Sequence, residues 1–363
     1  MRILLDFRTK PSYPPVIDLV NELSKKFDIF FMPNRMSQPA GLDDNVVCCQ
    51  NVDICSINPD VVFSTYSTPL VITYLKLYLK VPVINYMFIY MMMADVFSAK
   101  FLALPNSYKL REVLKLIAFS FPKSLIMPDK LIVPNIIIKR ELVRLGFPKD
   151  RIIVLPWGLN INRYGNKNFS PSGDNKDVIV YAGPLHPLRF SVDLLYIFAD
   201  VIKQNADLHL LLLLRRDLWH QYTYKKLINT INKLNLRKKV SVIMPESHET
   251  YLSHVAQASV VILPYFSSGI VEMPPFTLLE CMALSKPIIT SYNIATYDII
   301  ENGTNGFFIP PDPFLLVDLI NSLILDKRKA RQIGQKARMT VQKKYNLTNF
   351  SSKLSLLLES CRQ

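Results

Sequence analysis

Short apolar runs alternate with longer stretches of helical periodicity along most of this 363-residue chain. Continuous apolar runs fit strands buried on both faces, and the amphipathic stretches between them fit helices that cover a parallel sheet. Strands are expected near 2–7, 28–32, 60–64, 81–85, 130–133 and 152–155, with helices over 14–26, 68–80, 108–121 and 135–145. The segment PWGLNINRYGNKNFSPSGDNKD (156–177) then breaks the pattern. It is rich in Gly, Asn and Ser and nearly free of core residues, which is the composition of a linker. The alternation restarts at VIVYAG (178–183), with strands near 207–214, 240–243, 259–263 and 287–291 and helices over 189–204, 218–235, 248–257 and 275–285. A tail of three helical segments covers 312–361. The fold class expected is α/β, with two doubly wound, Rossmann-like domains over 1–160 and 161–345, facing a cleft.

Charge adds a constraint on partners. The chain carries a formal +14, and residues 76–151 hold 13 Lys and Arg against 5 Asp and Glu. Such an excess points to anionic partners: phosphates, nucleotides or an acidic membrane face. The interleaved basic and aromatic signature of a nucleic-acid module is absent, so no nucleic-acid partner is expected. Five cysteines without a CxxC pair suit reduced thiols and a cytoplasmic setting. The start MRILLDF reads as a strand, since Asp6 interrupts the apolar run, and the longest apolar window, 81–94, is too short to span a bilayer.

No Walker A loop, GxGxxG, HExxH, GxSxG or zinc spacing occurs. Neither does Asp-x-Asp, which disfavours a sugar nucleotide held through a carboxylate-bound metal; no metal and no cofactor are expected. Of the five histidines only His186 is singled out, and the rest read as surface or core residues.

The stretch EMPPFTLLECMALSKP (272–287) carries the chemistry. Pro274 and Pro275 stiffen the start of a helix that begins near Phe276, with Glu280 in or just past its first turn and Glu272 in the loop before it. The helix start offers unpaired N–H groups and a partial positive charge to a phosphate. Carboxylates accept hydrogen bonds from vicinal hydroxyls, so the spacing suits a nucleoside diphosphate sugar. The plain alternative is a capping box, Thr277 to Glu280, with Glu272 a solvated loop acid.

The run EMPPFTLLECMALSKPIITS…YDIIENGTNGFFIPPDP resembles the donor-binding signature of the GT-B glycosyltransferases of glycosyltransferase family 4 (group 1). The family's pattern is Glu-x7-Glu, then Ala-Met-Ala-x-Gly-x-Pro and an Asn-Gly turn. Glu272 and Glu280 match the acids, Cys281-Met282-Ala283 and Pro287 the following run, and Asn305-Gly306 the turn. YAGPLHPLR (181–189) stands at the family's Gly-Arg-Leu-x-x-x-Lys loop, and 132–164 looks like its interdomain crossover. The resemblance implies a retaining, metal-independent glycosyltransferase whose donor phosphate helps to deprotonate the acceptor. It places Glu272 at the transferred sugar, Glu280 at the ribose and Arg189 at the pyrophosphate. Gly183, His186 and the amides of Phe276, Thr277 and Leu278 complete the donor site, and the backbone around Glu246–His248 takes the base. It also implies hinge closure through 156–177 and a C-terminal helix, 346–363, that rejoins the N-terminal domain.

Several positions depart from the family. Pro184 replaces its phosphate-binding Arg, with His186, Arg215 or Arg216 as substitutes and a solvated strand end as the plain reading of the two arginines. RTKPSYPP (8–15) stands where the Gly-Gly loop belongs, and NYMFIY after VPVI lacks the family's histidine, leaving Asn85 or Tyr86 nearby. The N-terminal half is expected to bind the acceptor, a glycan or a lipid-linked one. In 108–121, Leu110, Val113, Leu114, Ile117 and Phe121 share one helical face, with Lys109, Arg111 and Lys115 elsewhere. That pattern suits peripheral contact with an anionic membrane, or equally a helix packed on the core. Two alternatives to the transferase stay open: a non-catalytic or partner-dependent GT-B protein that binds nucleotide sugar, and an enzyme that epimerises or hydrolyses it.

Overall fold

The computed structural model describes residues 1–7, 14–33, 39–49, 54–65, 76, 79–87, 128–165, 177–186, 192–215, 220–265, 271, 273–310 and 312–361. Helix 108–121 and most of 68–80 lie outside them, as do Glu272, Arg189 and Arg216. The described residues fall into two compact units, one within 1–93, 105–160 and 344–363, the other within 161–343.

The first unit contains β1 (Arg2–Phe7), α1 (Pro14–Ser24), β2 (Asp28–Pro33), β3 (Val47–Cys48), α2 (Ile54–Ile57), β4 (Val61–Ser64), β5 (Val83–Tyr86), β6 (Lys130–Val133), α3 (Ile136–Arg144) and β7 (Ile152–Val154). Its strands pair in parallel in the order β3-β2-β1-β4-β5-β6-β7. In β1, Ile3, Leu4 and Leu5 are fully buried, as both faces of a helix-covered sheet require.

The second unit begins with a 3-10 helix, Ile161–Tyr164, and continues through β8 (Val178–Pro184), α4 (Asp193–Gln204), β9 (His209–Arg215), α5 (His220–Lys233), β10 (Val240–Ile243) and α6 (His248–Ala256). It is completed by β11 (Val260–Leu263), α7 (Phe276–Ala283), β12 (Ile288–Thr290), β13 (Phe307–Phe308), α8 (Pro313–Leu325) and α9 (Lys327–Lys344). The sheet is parallel in the order β10-β9-β8-β11-β12-β13. Leu195 and Phe198 of α4, Leu210 and Leu212 of β9, and Leu316 and Ile320 of α8 share one buried cluster with Ile179 and Tyr181 of β8. Both sheets have the order of a doubly wound, Rossmann-like domain, as a GT-B fold requires.

The last helix, α10 (Leu347–Ser360), packs within the first unit, where it meets α1. Its Phe350 stacks on Trp157 with centroids 4.8 Å apart, and Tyr86 and Phe7 present ring edges to the same indole. The start of 156–177 is therefore not loose: Trp157, Leu159 and Tyr164 are buried. Large aromatics set among Gly and Asn outweigh the linker composition around them. Gly158 is required here, because a Cβ would come within 2.3 Å of the Asn346 backbone. Tyr86 likewise belongs to this core, its hydroxyl accepting from the Trp157 amide at 3.0 Å.

Candidate functional site

The winding of the second unit's sheet reverses between β8 and β11, so the carboxyl ends of these strands open the crevice in which such sheets take ligands. At the end of β8, Gly183 adopts φ 150°, in a region that L side chains avoid. The next carbonyl, of Pro184, accepts the Tyr181 hydroxyl at 2.7 Å and the His186 amide at 3.0 Å. This tucks His186 into a buried position. On the neighbouring strand Arg215 is the register partner of Pro184, and its side chain is exposed. Adjacent strands lie about 4.8 Å apart. The backbone of Arg215 thus stands one strand spacing from that of Pro184.

Across the switch point, Met273, Pro274 and Pro275 are buried and lead into α7. Pro275 is its N-cap and supplies no side-chain hydrogen bond. The first helical bond runs from the Leu279 amide to the Pro275 carbonyl at 3.1 Å, so the amides of Phe276, Thr277 and Leu278 precede the ladder. The side chains of Phe276 and Leu278 are buried in the core, and Thr277 is half-buried. These three positions therefore present backbone N–H groups at the positive end of the helix dipole.

Glu280 faces inward from α7 with its side chain 1% exposed. Nε2 of His248 lies 2.7 Å from its Oε1 and the Tyr164 hydroxyl 3.4 Å from the same oxygen. The Tyr164 hydroxyl donates to that oxygen, and His248 does so in the tautomer that carries its proton on Nε2. The capping-box alternative fails: the N-cap is Pro275, which puts Glu280 at the fifth helical position, two residues past the third, from which an acid reaches back to the cap.

His248 arrives there through local sequence. Ser247 caps α6, its side chain accepting from the Thr250 amide at 3.0 Å, and the next residue is thrown onto the first turn. Farther along, the Tyr251 hydroxyl sits 3.9 Å from Cys281 Sγ, and Lys286 donates to the Ala256 carbonyl at the carboxyl end of α6. The helices α6 and α7 are thus pinned at three levels, with the His248–Glu280 pair at the open end. Tyr164 is held from below: Arg338 of α9 donates both to its carbonyl and to that of Ala283 at the end of α7. Asn305, in the motif's turn, is structural, donating to the Ile299 carbonyl at 3.0 Å and to Thr340 Oγ1 at 2.9 Å.

Of the residues expected to bind a donor, Gly183 lies in β8 and His186 two residues beyond its end, while Phe276, Thr277, Leu278 and Glu280 lie in α7. His248 and Tyr164 were not anticipated as partners of Glu280. The former sits 32 residues before its partner and the latter 116, so no local spacing joins them.

Residues 165–340 match the family model described as glycosyl transferases group 1. Among curated relatives, alpha-1,3/1,6-mannosyltransferase ALG2 of Rhizomucor pusillus is 29% identical over 23% of this chain and 18% of its own length. Alpha-D-kanosaminyltransferase of Streptomyces kanamyceticus is 28% identical over 34% and 32%. Capsular polysaccharide biosynthesis glycosyltransferase CapM of Staphylococcus aureus is 22% identical over 61% and 56%. The matches thus span at most 56% of these relatives' lengths. Among solved structures, Anabaena Alr3699/HepE in complex with UDP-glucose superposes with a TM-score of 0.74 at 16% identity, covering 99% of this chain and 100% of that one. Sucrose-phosphate synthase from Thermosynechococcus elongatus gives 0.69 at 15% identity over 99% and 98%. These likenesses establish the GT-B fold.

Proposed function

We propose, from the premise that residues 165–340 are a group 1 glycosyl transferase domain, that this chain transfers a hexose from a UDP- or GDP-linked donor to a glycan or lipid-linked acceptor. The observation that carries the reading is Glu280, a buried acid on a helix whose first amides precede the ladder at a sheet's switch point. In this reading the pyrophosphate rests against the amides of Phe276, Thr277 and Leu278, where the helix dipole favours negative charge. Glu280 takes the ribose diol and Glu272 the transferred sugar. Arg189 neutralises the charge that grows on the leaving phosphate, joined by Arg215 in the role that Pro184 gives up. Fixed cations and amides do this without a metal, and configuration is retained with the donor phosphate assisting the acceptor's deprotonation. The first unit holds the acceptor and touches an anionic membrane surface peripherally. UDP-glucose in the Anabaena protein and the polysaccharide role in the name of CapM support the donor and acceptor classes.

Calorimetry and turnover test the assignment together. Binding of UDP-glucose and GDP-mannose should weaken about tenfold or more in Glu280→Ala, since a charge-assisted hydrogen bond is lost. Glu272→Ala should bind the donor within a few-fold of the parent and lose turnover instead. Unchanged affinity in the Glu280 variant would return that residue to a purely structural role. Pro184 also favours a second reading, a protein that binds nucleotide sugar without transferring it. Release of free UDP or GDP in the presence of acceptor separates the two.

A further inference from the structure

The carboxyl ends of β12 and β13 carry three aromatic rings in mutual contact. Tyr292 stands two residues past β12 and is 66% exposed. Tyr297, 45% exposed, meets it with centroids 6.0 Å apart and rings at 89°. Half-buried Phe308, the last residue of β13, meets the same tyrosine at 5.0 Å and 84°. Single exposed aromatics are ordinary on any surface, whereas a contiguous group of them marks a binding surface. The loop that presents Tyr292 is fixed on both sides of it. Ser291 Oγ accepts from the Tyr265 amide at 3.0 Å, and the Asn293 side chain donates to the Tyr265 carbonyl. Thr296 Oγ1 donates to the Ser291 carbonyl at 2.6 Å, and the Tyr297 amide to that of Asn293 at 2.9 Å. The Phe308 amide donates to Asn302 Oδ1 at 2.9 Å. An open ring on so constrained a loop loses little freedom when a ligand covers it. Tyr265 lies just past β11, so the rings flank the strand end that precedes α7 in the chain.

Charge narrows the ligand class. In a chain of +14, residues 287–326 contain no Lys, Arg or His, while Asp298, Glu301, Asp312, Asp318 and Asp326 are acidic. Lys329 of α9 lies with Nζ 6.0 Å from the centroid of Phe307, and alternation along β13 turns Phe307 to the opposite face from Phe308. An anionic lipid, a nucleic acid or a phosphorylated peptide is therefore poorly matched to this surface. A neutral sugar ring suits it. The C–H groups on one face of a pyranose are slightly positive and rest against the negative face of an aromatic ring, while the hydroxyls stay in water. We propose that Tyr292, braced by Tyr297 and Phe308, is a stacking platform for one neutral sugar ring of a glycan acceptor. The inference takes its ligand class from the reading of this chain as a transferase acting on glycans, and adds to it the residues and the charge of the sugar.

The test uses the full chain with maltohexaose, cellohexaose and α-1,6-mannohexaose as probes. Binding is followed by saturation-transfer NMR and calorimetry up to about 10 mM, which covers weak millimolar contacts. At least one probe should bind the parent protein, and Tyr292→Ala should weaken that binding about fivefold or more. Tyr292→Phe keeps the ring face and should stay within about twofold of the parent. Tyr292→Leu keeps apolar bulk without the ring and should lose as much as the alanine variant. Affinity for UDP-glucose or GDP-mannose, whichever binds, should be the same in all four proteins, which guards against a folding defect. No binding of any probe overturns the platform, as does equal probe affinity in the parent and the alanine or leucine variant. A loss in Tyr292→Phe equal to that in alanine also overturns it, because recognition then runs through the hydroxyl. Dimerisation of the parent that Tyr292→Ala abolishes, with no probe bound, gives the surface to a second copy of this chain instead. Probe binding that needs the Tyr292 ring, without UDP or GDP release from donor and acceptor, supports the platform and overturns the transferase reading alone. Nucleotide release with no probe bound overturns the platform alone.

Discussion

Next to Glu280, the thiol of Cys281 reports how dry the seam between α6 and α7 is. Burial pushes it well above the ordinary thiol value, and the charge of Glu280 adds to the shift, partly offset by the Tyr251 hydroxyl. A reactive cysteine needs thiolate character and access, and Cys281 has neither. A disulfide reagent at pH 8 should therefore leave Cys281 unmodified in the folded protein and label it only after denaturation, as peptide mapping would read out. Labelling at native rates would mean that the seam opens, and with it the account of Glu280 as a sheltered acid. The sign of the linkage follows from the same shift. The folded protein keeps a proton that the unfolded chain sheds above about pH 9, so stability from this site is present below that pH and declines as pH rises beyond it.

At the scale of the element, α7 ends as definitely as it begins. The amide of Lys286 donates to the Cys281 carbonyl at 3.1 Å and that of Ser285 to Met282 at 2.9 Å, the double closure of a Schellman turn. Its left-handed position is filled by Ser285 at φ 59°, where the family run has glycine. The Ser285 carbonyl in turn occupies the space left by Gly334 of α9, whose added Cβ would come within 1.9 Å of it. Two substitutions should move in opposite directions. Ser285→Gly relieves a backbone cost of about 1 kcal/mol and should raise the melting temperature by about 2–4 °C. Gly334→Ala gains about 1 kcal/mol of helix propensity, but the clash is with backbone, and overpacking of that kind costs about 1–3 kcal/mol. A net fall in melting temperature is expected, and a rise would mean that α9 shifts without penalty. The elements themselves were legible where apolar runs were long, as in β1, β8 and β9, and illegible in the two-residue edge strands β3 and β13, whose pairing is decided by neighbours. Glu280 and the amides of α7 were legible because one helix start carries them all. His248 and Tyr164 were not, because only tertiary packing brings them to the same oxygen, and Trp157 was hidden by the Gly- and Asn-rich company it keeps.

For the molecule as a whole, the two sheets supply opposite kinds of information about partners. The second unit has a site that can be argued atom by atom; for the first, charge is the stronger guide. Of the chain's +14, the stretch 76–151 contributes +8, and 108–121 contains Lys109, Arg111 and Lys115. Among the described residues no helix is long and apolar enough to cross a membrane. Attraction of each Lys or Arg to an anionic surface is worth about 1 kcal/mol and fades within a Debye length, about 10 Å at 0.1 M salt. An apolar face adds a term that salt does not screen. Co-sedimentation with vesicles containing phosphatidylglycerol should therefore be strong at 20 mM salt, fall steeply by 500 mM, and be weak on vesicles of phosphatidylcholine alone. Replacing Lys109, Arg111 and Lys115 by glutamine should remove most of the low-salt binding while leaving calorimetric affinity for the sugar nucleotide unchanged. If the parent protein stays in the supernatant at low salt, the positive charge serves the acceptor or solubility, and the lipid surface drops out of the reading.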